Sequence, residues 1–260
     1  PLQHRAGLGV GCDGALPHAG FRQFRHNFPA IRDALEQGRE DRAREQLAHW
    51  QHLDASDLPR TEVLRHVLEY SLLAAHRHVF GVFFWFVALS AMGLGPAGAV
   101  LYRMAEFGSR YWSYKSQVTG AATHDRLMNL SLKLFTWLDH VPSRMTAFGF
   151  AVVGNFEDAV DAWRRHAVLW VRPNEGTILS AASGALGVRL GGQAAPSADG
   201  RDVSRTLSQG DGSDVIDAEG STTGAPPEMA HLRSVVGLIW RSVVLWMLLL
   251  ALLSLANLIG

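Results

Sequence analysis

Hydrophobic and polar positions fall into blocks along this chain. Residues 79–102 carry no charge, and Phe80, Phe83, Phe84, Trp85 and Phe86 crowd the first half of that run. Roughly 20 apolar residues cross the hydrocarbon core of a bilayer, so the run predicts a first membrane span. Gly93-Leu94-Gly95-Pro96-Ala97-Gly98 interrupts it. Pro96 removes a backbone donor and clashes with the preceding turn, so the span is expected to kink or break there. Broken helices persist at membrane depth only where protein or a water-filled cavity satisfies the released backbone groups. Residues 235–259 form a second spanning pattern, with Arg241 as the one charge near its start.

Upstream, the helical period predicts three amphipathic helices. In the first, Asn27 is a cap with Pro29 in the opening turn, Ile31, Ala34 and Leu35 form the apolar face, and Gly38 marks the turn. Residues 41–52 place Ala43, Leu47 and Trp50 on one side. From residue 60, Val63, Val67, Leu68 and Leu72 share a stripe that leads into the first span. Residues 106–126 combine Phe107, Tyr111, Trp112 and Tyr114 with basic neighbours, the pattern of an interfacial helix and loop. Residues 127–156 are apolar but interrupted by Asp139-His140-Val141-Pro142-Ser143-Arg144. Asp139 and Arg144 are expected to pair across a break at Pro142, either in a loop between two short helices or in a functional cleft. Arg172-Pro173-Asn174-Glu175-Gly176 reads as a turn. In the small-residue helix that follows, Gly187 and Gly191 are spaced for close approach of another backbone, with Arg189 embedded between them.

The ends and the gap look different. Residues 1–20 contain Gly9-x-Gly11-x-x-Gly14, but no strand precedes it and no helical pattern follows directly, as nucleotide binding there requires. Residues 193–230 are rich in small and polar residues and lack the apolar side chains that offset ordering entropy. The expected fold is therefore mainly α: a multi-pass helical membrane protein with a broken first span and peripheral amphipathic helices. Its expected parts are a disordered or truncated start (1–20), an amphipathic helical hairpin region (21–77), a membrane-embedded domain (78–192), a disordered linker (193–230) and a C-terminal transmembrane helix (231–260).

Composition narrows the chemistry. The 24 basic residues balance 24 acidic ones, so there is no electrostatic case for nucleic acid. The single cysteine, Cys12, excludes an internal disulfide and a Cys-rich metal site. His76-Arg77-His78 stands where a helix enters the bilayer and reads as a solvated polar anchor. Its two imidazoles point to different helix faces, a poor arrangement for one metal ion, so no metal site is expected. Arg103, Arg144 and Arg189 each sit beside a Gly- or Pro-containing break near a membrane segment. An arginine there is costly without an anionic partner or water. The three are expected to converge on one anion-binding cleft, with Glu69, Glu106 and Asp139 as possible carboxylate partners and Asn174 as a neutral hydrogen-bonding group.

Four blocks together resemble one family. They are GLGPAGAVLYR (residues 93–103), VPSRMTAF (141–148), RPNEG (172–176) and SGALGVRLGG (183–192). Their order and spacing resemble the CobD/CbiB cobalamin-biosynthesis membrane proteins and their relative AmpE, and VFFWF, LGPAGAVLYR and VVGNFEDA look closer to the AmpE branch. The resemblance implies a bacterial inner-membrane, multi-pass protein. In its enzymatic branch it implies ATP-dependent formation of an amide between a corrinoid carboxylate and aminopropanol or its phosphate. That branch is expected to carry acidic and amide residues where this chain has Leu73, Ala74, Arg77, Glu106, Ser109, Phe135 and Thr136. Pro142, Arg144, Thr146, Asn174, Gly176 and Arg189 are kept. The expectation is therefore a divergent, non-ligase member of regulatory or binding type, with no assigned catalytic residue and no cofactor. Its partners would be the bilayer, a corrinoid or another anionic ligand, and a second copy through helix packing. The alternative is adenosylcobinamide-phosphate synthase-like amide formation in vitamin B12 biosynthesis, with magnesium and ATP.

Overall fold

The computed structural model describes residues 19–51, 58–119, 122–191 and 221–259. Helices α1 (Ala19–Glu36) and α2 (Glu40–Gln51) form a hairpin. Gly38 turns the chain at φ 69°. Its amide and that of Arg39 cap the end of α1 by donating to Leu35 O and Ala34 O at 3.2 and 2.9 Å. Ile31, Ala34, Leu35, Ala43 and Leu47 are buried as their spacing predicts. Residues 1–18, at the chain start, lie outside the described residues, as does most of the 193–230 segment.

Helix α3 (Arg60–Ala75) passes through a π-helical turn, His76–Phe80, directly into α4 (Gly81–Ala91). Val63, Val67, Leu68 and Leu72 lie in one hydrophobic core with the α1–α2 residues. The amphipathic hairpin and the first span are thus packed as one body. A π turn adds a residue to the helical repeat and re-aims the side chains around it. Here it brings His76 to the interior, only 2% exposed, rather than to the solvated interface expected.

The break at residues 92–96 does not kink a single span; it reverses the chain. Gly93 and Gly95 adopt positive φ, 80° and 57°, and Leu94 N donates to Leu89 O at 2.9 Å. Pro96 stands just ahead of α5 (Ala97–Thr119), where its missing amide is not needed. Helix α5 returns antiparallel along α4. A side chain at Gly98 would strike the carbonyl of Trp85, and one at Gly81 would strike the ring of Tyr102. The aromatic-rich segment is therefore the second half of this hairpin rather than a separate interfacial helix.

Helix α6 (Ala122–Val153) is continuous, with Pro142 inside it. The expected pair of short helices, and the Asp139–Arg144 pairing across a break, do not form. The carbonyl that Pro142 cannot serve is that of Leu138, and the indole of Trp85 donates to it at 3.2 Å. With that group satisfied, the helix runs on. Its outer face carries Leu127, Leu130, Leu134, Trp137, Val141, Met145, Phe148 and Val152, all exposed at three- and four-residue spacings.

Helix α7 (Phe156–His166) leads through a short 3₁₀ turn to α8 (Pro173–Leu186). Helix α8 is buried from Ile178 to Gly184. Its small residues admit α7: a side chain at Gly184 would meet the Asp158 carbonyl. Gly187 has a different role from the one its spacing implied. It ends α8 at φ 67°, with no other atom within 4 Å of where a side chain would begin. Arg189 follows the helix and is not embedded in it. Val188 bridges Ala225 and Gly191 bridges Ser221. The described end of the expected linker is thus packed, and Thr222 is buried. Among the described residues these bridges are the whole β content.

Helix α9 (Met229–Ile259) starts in the core through Leu232, Val235 and Leu238. Its second half exposes Val244, Met247, Leu248, Leu252 and Leu253. Two helical stretches, Arg60–Ala91 and Met229–Ala256, are long and apolar enough to cross a membrane. Each large apolar side chain withdrawn from water contributes roughly 1.5–3 kcal/mol. The exposed faces of α4, α5, α6 and α9 are therefore suited to an apolar surrounding.

Candidate functional site

The end of α3 with its π turn, the middle of α5, the middle of α6 and the first turn of α8 meet around a cavity of about 360 Å³. Three arginines and three carboxylates line it: Arg77, Arg110 and Arg172 with Glu106, Asp139 and Glu175. Ser109, Ser113, Phe135, Thr136 and Asn174 complete the polar and aromatic parts of the wall.

Asp139 is the hub of its buried side. The Nε2 of His76 lies 2.8 Å from Oδ1, and the hydroxyl of Tyr102 donates to the same oxygen at 2.7 Å. Asn174 Nδ2 donates to Oδ2 at 3.3 Å and to Thr136 O at 2.9 Å. Behind the ring, His76 Nδ1 lies 2.9 Å from Thr146 Oγ1, which also bonds to Pro142 O at 3.0 Å. His76, Tyr102, Asp139, Thr146 and Asn174 are all buried. Ionisable groups in such surroundings require partners, and each finds one 35 to 70 positions away in sequence.

At the start of α8, Arg77 and Arg172 both donate to Glu175 Oε1, at 2.8 and 3.2 Å. Burial pushes the Glu175 carboxyl up, but the two guanidinium groups outweigh it and hold the group below the usual carboxylate range. On α5, Glu106 is bonded by Arg103, which also lies 2.8 Å from His78 Nδ1, and has Arg110 3.6 Å away. Two buried acceptors at the cavity, Glu106 Oε1 and Asn174 Oδ1, have no hydrogen-bond donor. An unmade bond of this kind costs about 1–3 kcal/mol; Glu106 Oε1 has the ion pair with Arg110 to offset it, which leaves Asn174 Oδ1 as the acceptor without a donor.

The residues expected from sequence are distributed unevenly. Glu106, Asp139 and Asn174 line the cavity, and Thr146 supports it through His76. Arg103 stands one bond behind the wall, on Glu106. Arg144 and Arg189 do not join it. Arg144 donates to His140 O at 2.8 Å on its own helix, and Arg189 is exposed beyond α8. The three arginines therefore do not share one cleft, because the continuity of α6 and the cap at Gly187 send two of them elsewhere. Glu69 is also apart: fully buried, it accepts from Arg65 at 3.0 Å and from Gly191 N at 2.6 Å, tying α3 to the segment after α8. Sequence reasoning reached Arg77 only as a place matched by the family resemblance and His76 only as a solvated polar anchor, and it missed Tyr102, Arg110, Arg172 and Glu175. The available signal was Arg172-Pro173 opening a helix with Asn174 and Glu175 in its first turn.

The class defined by this architecture is a helical protein with two membrane-length apolar helices and a mixed-charge cavity. Residues 15–218 match the protein family described as CobD/Cbib protein, and the chain belongs to the CobD/CbiB family. It is 32% identical over 180 residues to the cobalamin biosynthesis protein CobD of Chromobacterium violaceum, covering 67% of this chain and 53% of that protein. It is 29% identical over 232 residues to the cobalamin biosynthesis protein CobD of Stutzerimonas stutzeri, covering 89% of this chain and 68% of that one. The chain thus spans about half the length of the first relative and about two thirds of the second. No solved structure matches the chain.

Proposed function

We propose that this protein is a multi-pass inner-membrane enzyme of cobalamin biosynthesis, forming an amide between a corrinoid carboxylate and aminopropanol or its phosphate at the α5–α6–α8 cavity. One positional observation carries the reading. Of the seven places where the family resemblance implies functional side chains, five, held here by Arg77, Glu106, Ser109, Phe135 and Thr136, line this one cavity, while Leu73 and Ala74 do not. The names of the two relatives support it. So does the charge pattern: guanidinium groups beside a helix N-terminus suit a phosphate or carboxylate, and the undonated Asn174 Oδ1 suits an amine. The apolar outer faces of α4, α5, α6 and α9 support the bilayer location.

A second reading, a divergent binding or regulatory member of AmpE-like type without ligase activity, is favoured by one specific observation. Each cavity carboxylate is already engaged: Glu106 and Glu175 by arginines, Asp139 by His76 and Tyr102. Among the described residues, no group of three or more His, Cys, Asp or Glu is arranged to hold a metal ion. This donor set does not fit a protein-held magnesium ion, and no metal-dependent step is assigned to it.

Expression in a strain lacking the aminopropanol-attachment step separates the two. Restored growth that depends on the added corrinoid, and that is lost in Arg172→Ala, supports the enzyme. Membrane-inserted protein at normal level with no rescue overturns it in favour of the binding member.

A further inference from the structure

Resting on the amide-forming reading, we propose that Asp139 takes the proton from the ammonium group of the incoming amine, and that His76 positions Asp139 for that step. An amine attacks a carbonyl only as the neutral base, so a site that binds it as an ammonium must contain a proton acceptor.

Asp139 differs from the other two carboxylates on the wall. Glu106 and Glu175 are each ion-paired with two arginines. Asp139 is bonded to His76, Tyr102 and Asn174 instead. Its Oδ1 is fixed by two short contacts, whereas Oδ2 receives only the 3.3 Å bond from Asn174. Oδ2 is therefore the oxygen with capacity for a further hydrogen. Asn174 Oδ1, on the residue that donates to Asp139 Oδ2, is buried without a hydrogen-bond donor and calls for an N–H group, whereas Glu106 Oε1 already has the guanidinium of Arg110 at 3.6 Å. Asp139 Oδ2 and Asn174 Oδ1 together describe where an ammonium would sit.

His76 can hold Asp139 in place whichever proton it carries on Nδ1. Thr146 Oγ1 is near both His76 Nδ1 and Pro142 O. A hydroxyl both donates and accepts. It can donate to Nδ1 of a neutral imidazole or accept from Nδ1–H of an imidazolium, and Nε2–H points at Asp139 in both cases. Tyr102, from α5, and Asn174, from α8, are the other polar groups against the carboxylate; the charged groups that line the same cavity are Arg77 from the π turn, Glu106 and Arg110 from α5, and Arg172 and Glu175 at the start of α8. In the step, one N–H bond of R–NH₃⁺ breaks, its electron pair stays on nitrogen, and an O–H bond forms at Asp139 Oδ2. The products are R–NH₂ and the neutral carboxylic acid.

Two measurements on the full chain in lipid nanodiscs test the proposal. The first is binding of phosphoethanolamine and of phosphocholine, which has the same phosphate but no N–H. The wild type should prefer phosphoethanolamine by tenfold or more, and Asp139→Asn should reduce that preference to under threefold while phosphocholine binding stays within about threefold. The second is the pH profile of amide formation. Asp139→Asn should lower kcat at least a hundredfold, Asp139→Glu should restore part of it with a displaced acid limb, and His76→Gln should shift that limb with KM little changed. An unaltered binding preference in Asp139→Asn overturns the proposal even if turnover is never observed. A wild type that discriminates as expected yet forms no amide overturns the enzyme reading while retaining the ammonium contact. Turnover in Asp139→Asn with the wild-type pH profile refutes the proton transfer directly.

Discussion

The indole of Trp85 on α4 donates to the carbonyl of Leu138 on α6 at 3.2 Å, and Leu138 is the residue whose carbonyl Pro142 leaves without its helical donor. A neighbouring helix thus repairs the gap at a buried residue. Trp85→Phe should cost about 1–3 kcal/mol, the penalty for an unsatisfied buried carbonyl. Pro142→Ala supplies the missing amide, so Trp85→Phe should cost less than half as much in that background. A double-mutant cycle from thermal unfolding in detergent measures the coupling; equal costs in both backgrounds would show the bond to be incidental.

The return of α5 along α4 depends on Gly98, where an added side chain would collide with the Trp85 backbone carbonyl. Backbone cannot swing aside as a flexible side chain can. Gly98→Val should destabilise by about 1–3 kcal/mol or more through overpacking. Gly187→Val acts differently. There is space around Gly187, but its φ of 67° is unfavourable for a branched side chain, so the loss of about 1–3 kcal/mol is conformational. Gly187→Asn should recover most of that loss, since asparagine tolerates this region, whereas Gly98→Asn should recover none.

Acid should loosen the site at α8. The Glu175 carboxyl titrates below its unfolded value, because Arg77 and Arg172 overcome the effect of burial. A depressed group contributes stability that is fully present above the unfolded value, about 4.3 for glutamate, and that disappears as pH falls through the folded one. The stability difference between wild type and Glu175→Gln should be constant near neutral pH and shrink on acidification below about pH 4. Melting curves from pH 7 to pH 3 check this; a gap that widens towards acid reverses the sign.

Thr222 is the clearest sign that the segment before α9 is part of the folded protein. Its hydroxyl lies 2.8 Å from Leu190 N and 2.9 Å from Leu190 O, and Ser183 Oγ is 2.7 Å away. Thr222→Val keeps the shape and removes the hydroxyl, leaving buried partners unpaired. The expected cost is about 1–3 kcal/mol, read as a lower melting temperature; an unchanged value would mean that water replaces the hydroxyl.

The periodic placement of Ile31, Ala34 and Leu35, and of Val63, Val67, Leu68 and Leu72, determined by itself which helices form and which faces they bury. The glycines and proline of residues 93–98 likewise determined that a helix must stop there. These are local matters, settled by side-chain period and backbone freedom within a few residues. The family, too, was legible in the four short blocks that resemble CobD/CbiB. Of the candidate site, Glu106, Asp139 and Asn174 stood out as polar groups that an apolar setting must accommodate. What followed the stop was left to tertiary structure. Whether the chain kinked or reversed depended on Trp85 and Gly98 fitting together, and whether Pro142 broke its helix depended on a donor 53 positions upstream. The same holds for the site's cations. Arg77 and Arg172 meet Glu175 rather than joining Arg144 and Arg189, because a buried charge is placed by the partner that three packed helices bring to it, and sequence spacing does not encode that distance.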